Sequence, residues 1–276
     1  MPELPEVETV RRGLEDLLKK KPVVKKIRMI RKDIRFPIPK NLAKLFEGQR
    51  IIGVRRRAKY LLIDTEERSL LSHLGMTGSW RLLEGGAKGE LDKHDHFLID
   101  LDDGRTLAFR DPRRFGIIDY VEHSKESKHK FLHHLGPEPL DEAAFKAEDF
   151  FARSRKRKSA IKVFMMDQEI VVGVGNIYAS EVLFRSGVRP AKLAGKITKS
   201  EAERIVTNVR LVLLEAIKAG GSSISDYRQA SGESGGFQDR FKVYDRKGEP
   251  CFVCKTPIRT KVLGGRSTFW CPRCQP

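Results

Sequence analysis

Four cysteines constrain this chain more tightly than any other feature. All of them fall in the last 26 residues, as Cys251-x-x-Cys254 and Cys271-x-x-Cys274 with 16 residues between the pairs. Four thiolates at this spacing surround one tetrahedral ion and leave no coordination position open, so the pattern predicts a single structural Zn2+. Between the pairs, Lys261-Val262-Leu263 and Thr268-Phe269-Trp270 flank Gly264-Gly265, a two-residue hairpin signal. Arg266 is therefore expected at or next to a zinc-pinned hairpin tip, where it either meets a phosphate or belongs to a purely structural knob.

The 276 residues suffice for about two domains and a sizeable core. Lys and Arg number 54 against 37 Asp and Glu, a formal charge of +17 that four zinc-bound thiolates would lower only to +15. Such a surplus makes a polyanion the expected partner. The sequence has no 18-residue apolar run and no basic amphipathic helix with an aromatic face, so a membrane is not the expected polyanion. The N-terminus, Met1-Pro2-Glu3-Leu4-Pro5-Glu6, carries acids where a secretory signal needs bases. A cytosolic location is expected, and in a reducing compartment paired cysteines favour metal over disulfides.

Periodicity predicts an α+β chain. A helix over Glu3 to Leu18 is expected from the apolar face of Leu4, Val7, Leu14, Leu17 and Leu18, with Pro5 in the first turn and Glu3, Glu6 and Glu8 at the positive end of the dipole. From Ile51 to Val121, short apolar runs such as Tyr60-Leu61-Leu62-Ile63 alternate with turn residues, the pattern of a β-sandwich. Polar residues from Glu122 to Lys130 suggest a linker. Helical spacing follows: from Asp141, as cap, to about Ala152, then Ser159–Met166, Ile177–Ser186 and Ser200–Ala219. For the last helix, Ser200 with Glu203 and Thr198 with Glu201 fit a capping box equally well. Ser231 to Gly236 reads as a flexible loop.

Several residues can carry chemistry. Removal of Met1 would leave Pro2 with a free secondary amine at a helix start, a candidate Schiff-base nucleophile with Glu3 and Glu6 as acids or electrostatic partners. Arg55-Arg56-Arg57-x-Lys59 and Arg153-Ser154-Arg155-Lys156-Arg157-Lys158 are basic patches suited to nucleic acid. Gly173-Val174-Gly175-Asn176 lacks the third glycine of a dinucleotide fingerprint, which leaves a plain turn or a phosphate-binding one. Met76, Arg113 and Phe115 could fill a gap in a base stack, or could serve the core and an ion pair. His94-x-His96 has no third ligand in view, so no metal is expected there.

Together these motifs resemble the bacterial formamidopyrimidine-DNA glycosylases, also called 8-oxoguanine DNA glycosylases. The resemblance spans the whole chain: Pro2-Glu-Leu-Pro-Glu-Val-Glu8, Arg57-Ala-Lys-Tyr-Leu61, His73-Leu-Gly-Met76, Asp111-Pro-Arg-Arg-Phe-Gly116, Leu135-Gly-Pro-Glu-Pro-Leu140, Gly173-Val-Gly-Asn-Ile-Tyr-Ala-Ser-Glu181 and the terminal cysteines. It implies a catalytic β-sandwich with an N-terminal helix (1–130), a helix–two-turn–helix domain (131–240) and a zinc finger (241–276), with DNA in the cleft between. It implies a bacterial enzyme of the cytoplasm and nucleoid that excises oxidised purines from duplex DNA and then cuts the strand by β,δ-elimination; nothing in the sequence demands an oligomer, and a monomer is expected. Pro2 would be the nucleophile, Glu3 a proton donor, Lys59 the donor in β-elimination and Arg266 in δ-elimination. Glu6, His73, His94, Arg113 and Arg157 would contact DNA, Asn176 a phosphate beside the lesion, and Met76, Arg113 and Phe115 would fill the void. A loop from Ser222 to Phe241 would close over the damaged base.

Two positions depart from the family pattern. Arg157 stands where members often carry lysine, and Thr77 where some carry glutamate. The endonuclease VIII branch, which prefers oxidised pyrimidines, typically begins Pro-Glu-Gly-Pro; the Pro-Glu-Leu-Pro here favours the purine branch. A pyrimidine-lesion glycosylase and a non-catalytic DNA-binding protein on the same scaffold remain the alternatives.

Overall fold

Ten strands, six α-helices and three short 3-10 helices, one of them at His123–Lys128 within the expected linker, make up the regular structure of the described residues in a computed structural model, namely 1–85, 91–222 and 235–276. They divide into two compact units: residues 1–133 with 220–235, and residues 134–219 with 236–276.

The first unit begins with α1 (Leu4–Leu17). Pro5 lies in its first turn, where a missing N–H costs nothing. The alternating apolar runs become β1 (Val24–Met29), β2 (Gly53–Arg57), β3 (Tyr60–Asp64), β4 (Arg68–His73), β5 (Ser79–Leu83), β6 (Asp95–Leu101), β7 (Thr106–Arg110) and β8 (Ile117–Glu122), with a short helix α2 (Leu42–Phe46) after β1. They form two four-stranded antiparallel sheets, ordered β1-β6-β7-β5 and β2-β3-β4-β8. Leu61, Ile63 and Leu70 of one sheet and Phe97, Ile99, Leu107 and Phe109 of the other share a core with Val7, Val10 and Leu14 of α1. Burial of such side chains contributes about 1.5–3 kcal/mol each, before the entropy of ordering them is subtracted. Trp80 on β5 is buried and donates its indole N–H to Ser72 Oγ on β4 at 2.9 Å, so the core carries no unmet indole donor.

The second unit contains α3 (Ala147–Ser154), α4 (Ile161–Met166), α5 (Asn176–Arg185), α6 (Lys199–Lys218) and the hairpin β9 (Arg259–Leu263) with β10 (Arg266–Trp270). Thr198 and Glu201 form the capping box of α6: Thr198 Oγ1 accepts from Glu201 N–H at 3.1 Å, and Glu201 Oε2 accepts from Thr198 N–H at 2.8 Å. The Glu201 carboxylate also receives Lys192 Nζ at 2.7 Å, a nonlocal partner that sequence spacing does not reveal. One expectation fails. Asp141 does not cap α3 but holds a separate turn through the Ala143 and Ala144 N–H groups, and Lys146 is extended (φ −107°, ψ 149°) before α3 begins at Ala147. The break allows Phe145 to be buried edge-on against Phe150, with ring centroids 5.9 Å apart.

Residues 223–234 lie outside the described residues, and with them most of the expected closing loop from Ser222 to Phe241 and the loop from Ser231.

Candidate active site and zinc centre

The head of α1 gathers the acids expected beside Pro2. Pro2, Glu3 and Glu6 are all buried there. Glu6 Oε2 accepts the Glu3 N–H at 2.8 Å, while Oε1 accepts the N–H and the hydroxyl of Ser222 at 2.8 and 3.0 Å. A carboxylate with that many donors is held in one orientation, and it links the N-terminal segment to Ser222. One turn on, Glu8 receives Arg11, Arg12 and Arg56 at 3.0–3.1 Å. Burial pushes its carboxyl up, but the three guanidiniums outweigh burial and hold it below the usual range. Arg56 also donates to the Ala58 carbonyl at 3.0 Å, so α1 braces the β2–β3 turn that carries Lys59. Arg55 likewise turns to carboxylates, Asp64 at 2.6 Å and Glu126 at 2.9 Å. Two of the three arginines in that basic patch are thus committed to internal ion pairs.

His73 ends β4, opposite Tyr60 on β3, with their rings 4.9 Å apart. It is buried, and burial first, then the positive charges of Lys59 and Arg35, push its pKa down to about 3. Its Nδ1 accepts the Gly75 N–H at 2.9 Å, which puts the single proton of the neutral ring on Nε2. The sign of its pH dependence follows. Between about pH 3 and the unfolded value near 6.5, the unfolded chain binds a proton that the folded one does not, so stability falls as pH falls through that window. The slope is at most about 1.4 kcal/mol per pH unit. His73→Gln should therefore flatten the decline in urea midpoint between pH 6.5 and 4; a wild-type decline unchanged in the variant would show that the ring is not held neutral.

The proposed wedge residues come together through two loops. Gly75, at φ 63°, lies so close to Phe115 and Gly116 that a Cβ would fall 2.4 Å from the Phe115 carbonyl carbon. Only glycine allows that approach. Buried Thr77 donates to Asp111 Oδ1 at 2.6 Å and accepts the Arg113 N–H at 3.1 Å, while Asp111 Oδ2 takes the Gly116 N–H at 2.7 Å. Arg113 and Phe115 are exposed, with the guanidinium 5.0 Å from the ring centroid, and Met76 is half-buried. Thr77, one of the two positions at which the chain departs from the pattern it resembles, thus ties the Met76 loop to the Arg113–Phe115 loop. Thr77→Val leaves a buried carboxylate oxygen and a main-chain N–H each short of a partner. Its cost should be about 1–3 kcal/mol in urea unfolding; an unchanged midpoint would mean that the brace carries no load. His94 immediately precedes β6, and its carbonyl accepts the Asp111 N–H at 3.0 Å. His96 turns inward to the Asp111 carbonyl at 2.9 Å. The two imidazoles therefore have different surroundings, and His94 alone is left half-exposed.

In the second unit, Arg157 and Arg266 line one surface hollow of about 460 Å³ with Val163, Phe164 and Leu263. Arg266 starts β10, directly after Gly264 (φ 54°) and Gly265 (φ 72°), the two positive-φ positions of a type I′ turn. Asn176 opens α5 at the positive end of its dipole. The four cysteine sulfurs lie within 4.8 Å of one another, with Cys254 and Cys271 3.3 Å apart and Cys251 and Cys274 3.9 Å apart. A tetrahedron with Zn–S bonds of about 2.3 Å has edges of about 3.8 Å, so the donor set fits zinc. The module is anchored to the helices by buried Gln275, which accepts the Cys271 N–H at 3.0 Å and donates to the Val188 carbonyl at 2.9 Å. Sequence reading missed Gln275, Ser222 and Lys162, whose partners lie far along the chain.

Comparison with known proteins sets these features in a family. Residues 135–228 match the formamidopyrimidine-DNA glycosylase H2TH domain and residues 248–276 a zinc finger found in FPG and IleRS. Those two matches define a zinc-finger protein of the helix–two-turn–helix class with one structural Zn2+ on Cys251, Cys254, Cys271 and Cys274. Residues 1–118 match the formamidopyrimidine-DNA glycosylase N-terminal domain. The chain is 50% identical over 275 residues to the formamidopyrimidine-DNA glycosylase of Bdellovibrio bacteriovorus, covering 100% of both. It superposes on the crystal structure of the MutM (Fpg) protein of Thermus thermophilus with a TM-score of 0.88 and 42% identity, over 99% of this chain and 98% of that one. The Lactococcus lactis protein in complex with a Fapy-dG containing DNA gives a TM-score of 0.89 and 32% identity, over 99% of each chain. The chain belongs to the formamidopyrimidine-DNA glycosylase family.

Proposed function

We infer that the protein is a bifunctional base-excision-repair enzyme, a DNA glycosylase and AP lyase that removes oxidised purines, 8-oxoguanine and formamidopyrimidines, from duplex DNA. The observation that carries this reading is full-length family identity with the Pro2-Glu3 head of α1 retained and its acids buried. Segments 1–130, 131–240 and 241–276 act as catalytic sandwich, helix–two-turn–helix and zinc finger. The enzyme works as a monomer in the bacterial cytoplasm, at the nucleoid. Among the described residues, no helix is long and apolar enough to cross a membrane.

In this reading the damaged nucleotide must leave the stack before an amine can reach its sugar, at a cost of a few kcal/mol. Met76, Arg113 and Phe115 occupy the hole and offset part of that cost. The neutral Pro2 amine attacks the anomeric carbon while Glu3 protonates the ring oxygen. The sugar opens, the base departs with the glycosidic electron pair, and an iminium joins protein to DNA. A secondary amine suits this step because its imine is necessarily cationic, and the cation acidifies the neighbouring sugar protons. Loss of those protons expels first the 3′ and then the 5′ phosphate, with Lys59 and Arg266 as the respective donors. His73, His94, Arg113, Arg157, Asn176 and Glu6 hold the DNA around the reacting nucleotide. Zinc, when bound, holds the hairpin that presents Arg266; it supplies no Lewis acid to the reaction, because four thiolates complete its coordination.

The test is a nicking assay on three duplexes: 8-oxoguanine opposite cytosine, an oxidised pyrimidine opposite adenine, and undamaged DNA. Preferred cleavage of the 8-oxoguanine strand, leaving phosphate on both sides of a gap, is expected. Preference for the pyrimidine lesion would place the chain in the endonuclease VIII branch, and tight binding without cleavage would make it a binding protein.

A further inference from the structure

Lys162 on α4 is fully buried, which is rare for lysine. Its Nζ donates to Asn176 Oδ1 at 2.6 Å, to the Ser267 carbonyl at 3.0 Å and to Thr268 Oγ1 at 2.9 Å. These three acceptors are drawn from the start of α5 and from β10. Burying an ammonium is costly, and replacing a buried charge by an apolar side chain of similar volume is often neutral or stabilising. Stability alone therefore accounts poorly for this lysine.

Its effect on Asn176 is specific. An ammonium only donates, so the amide atom facing it is the oxygen, and the NH2 is turned away from Lys162. Asn176 is half-buried and opens α5, at the positive end of the helix dipole, where an anion is favoured. The contacts to Ser267 and Thr268 fix the strand that begins with Arg266. Side chains two apart on a strand share a face, so Arg266 lies on the Thr268 face, the one that meets Lys162. The hairpin tip also presses on α4, where a Cβ on Gly264 would lie 2.9 Å from Val163 Cγ2.

We propose that Lys162 is a positioning residue that turns the Asn176 amide outward and registers it with Arg266, so that both donate to the DNA phosphates beside the lesion. The proposal rests on the phosphate-binding reading of Asn176 and Arg266 given above. In addition, a buried positive charge behind the site raises the potential at the phosphate, and low dielectric strengthens that effect.

The experiment uses the zinc-loaded full chain and a duplex with a tetrahydrofuran abasic analogue, which binds but is not excised. Affinity is measured against salt for wild type, Lys162→Met, Asn176→Ala, the double variant and Asn176→Asp, with zinc content read in each. Lys162→Met should keep its zinc, lose about 10- to 100-fold in affinity and reduce the salt slope by about one phosphate contact. Its loss and that of Asn176→Ala should be strongly non-additive in the double variant, because one acts through the other. A zinc-loaded Lys162→Met with wild-type affinity, or additive losses, would overturn the proposal. Should Lys162→Met lose its zinc, Asn176→Asp decides. It keeps the oxygen on Lys162 but offers the phosphate an oxygen instead of the NH2, so it should bind more weakly than Asn176→Ala; equal binding refutes the orientation argument. Wild-type affinity in Asn176→Ala would instead remove the phosphate-binding reading itself.

Discussion

A protein that keeps Met1 will form no covalent adduct with 8-oxoguanine duplex under borohydride, while the trimmed protein will form one on Pro2. The reason is the state of one nitrogen. Behind Met1, the Pro2 nitrogen is a tertiary amide whose lone pair is delocalised into the carbonyl, and it cannot attack. With Met1 removed it is a secondary amine, neutral in part near pH 7. Removing a covalent nucleophile costs about 1000-fold or more in rate. Pro2→Gly should fall between, since a primary amine can still form an imine but lacks the fixed ring and the obligate cation. Mass spectrometry of the trapped peptide locates the bond. An adduct of undiminished yield with Met1 intact would sink the nucleophile assignment, and the search would pass to a lysine.

Loss of zinc should have the second large effect. Structural zinc contributes about 10–16 kcal/mol of apparent binding energy in small zinc modules, more than the few hydrogen bonds from Gln275 and Lys162 that also hold the hairpin. Its core is small: Val243, Ile258 and Phe269 packed with Cys251 and Cys271. Cys254→Ser should release the metal, remove exchange protection from Arg259–Leu263 and Arg266–Trp270, and reduce affinity for lesion duplex by at least about 100-fold. The β-sandwich core contains none of these residues, so its unfolding transition should stay in place. Metal-free protein that nicks DNA at the wild-type rate would show the finger to be dispensable.

Much of this was legible in the chain because the signals are local. The helix at Leu4–Leu17, the two-glycine turn and the paired cysteines each depend on residues within a few positions, where backbone sterics and ligand spacing act directly. Local signals can also tie. Ser200 and Thr198 offered equal capping boxes, and Lys192, nine residues from Glu201, accompanies the choice. They can mislead as well: Asp141 has the chemistry of a helix cap, yet burial of Phe145 beside Phe150 ends its turn early. The arginines of the Arg55–Lys59 patch look alike in sequence, but Asp64, Glu126 and Glu8 claim two of them.

The sequence by itself determined the zinc ligands, the hairpin that carries Arg266, the layered α+β class, the polyanionic partner and, through its motifs, the family. Those follow from composition, period and spacing, which are short-range or additive. Only the tertiary structure decided which polar groups hold the site in shape. Glu6 meets Ser222 across 216 positions, Thr77 meets Asp111 across 34, and Lys162 meets Ser267 across 105. No period encodes such pairs. They form because folding buries each donor or acceptor, and a buried polar group must take the partner that the surrounding chain places within reach.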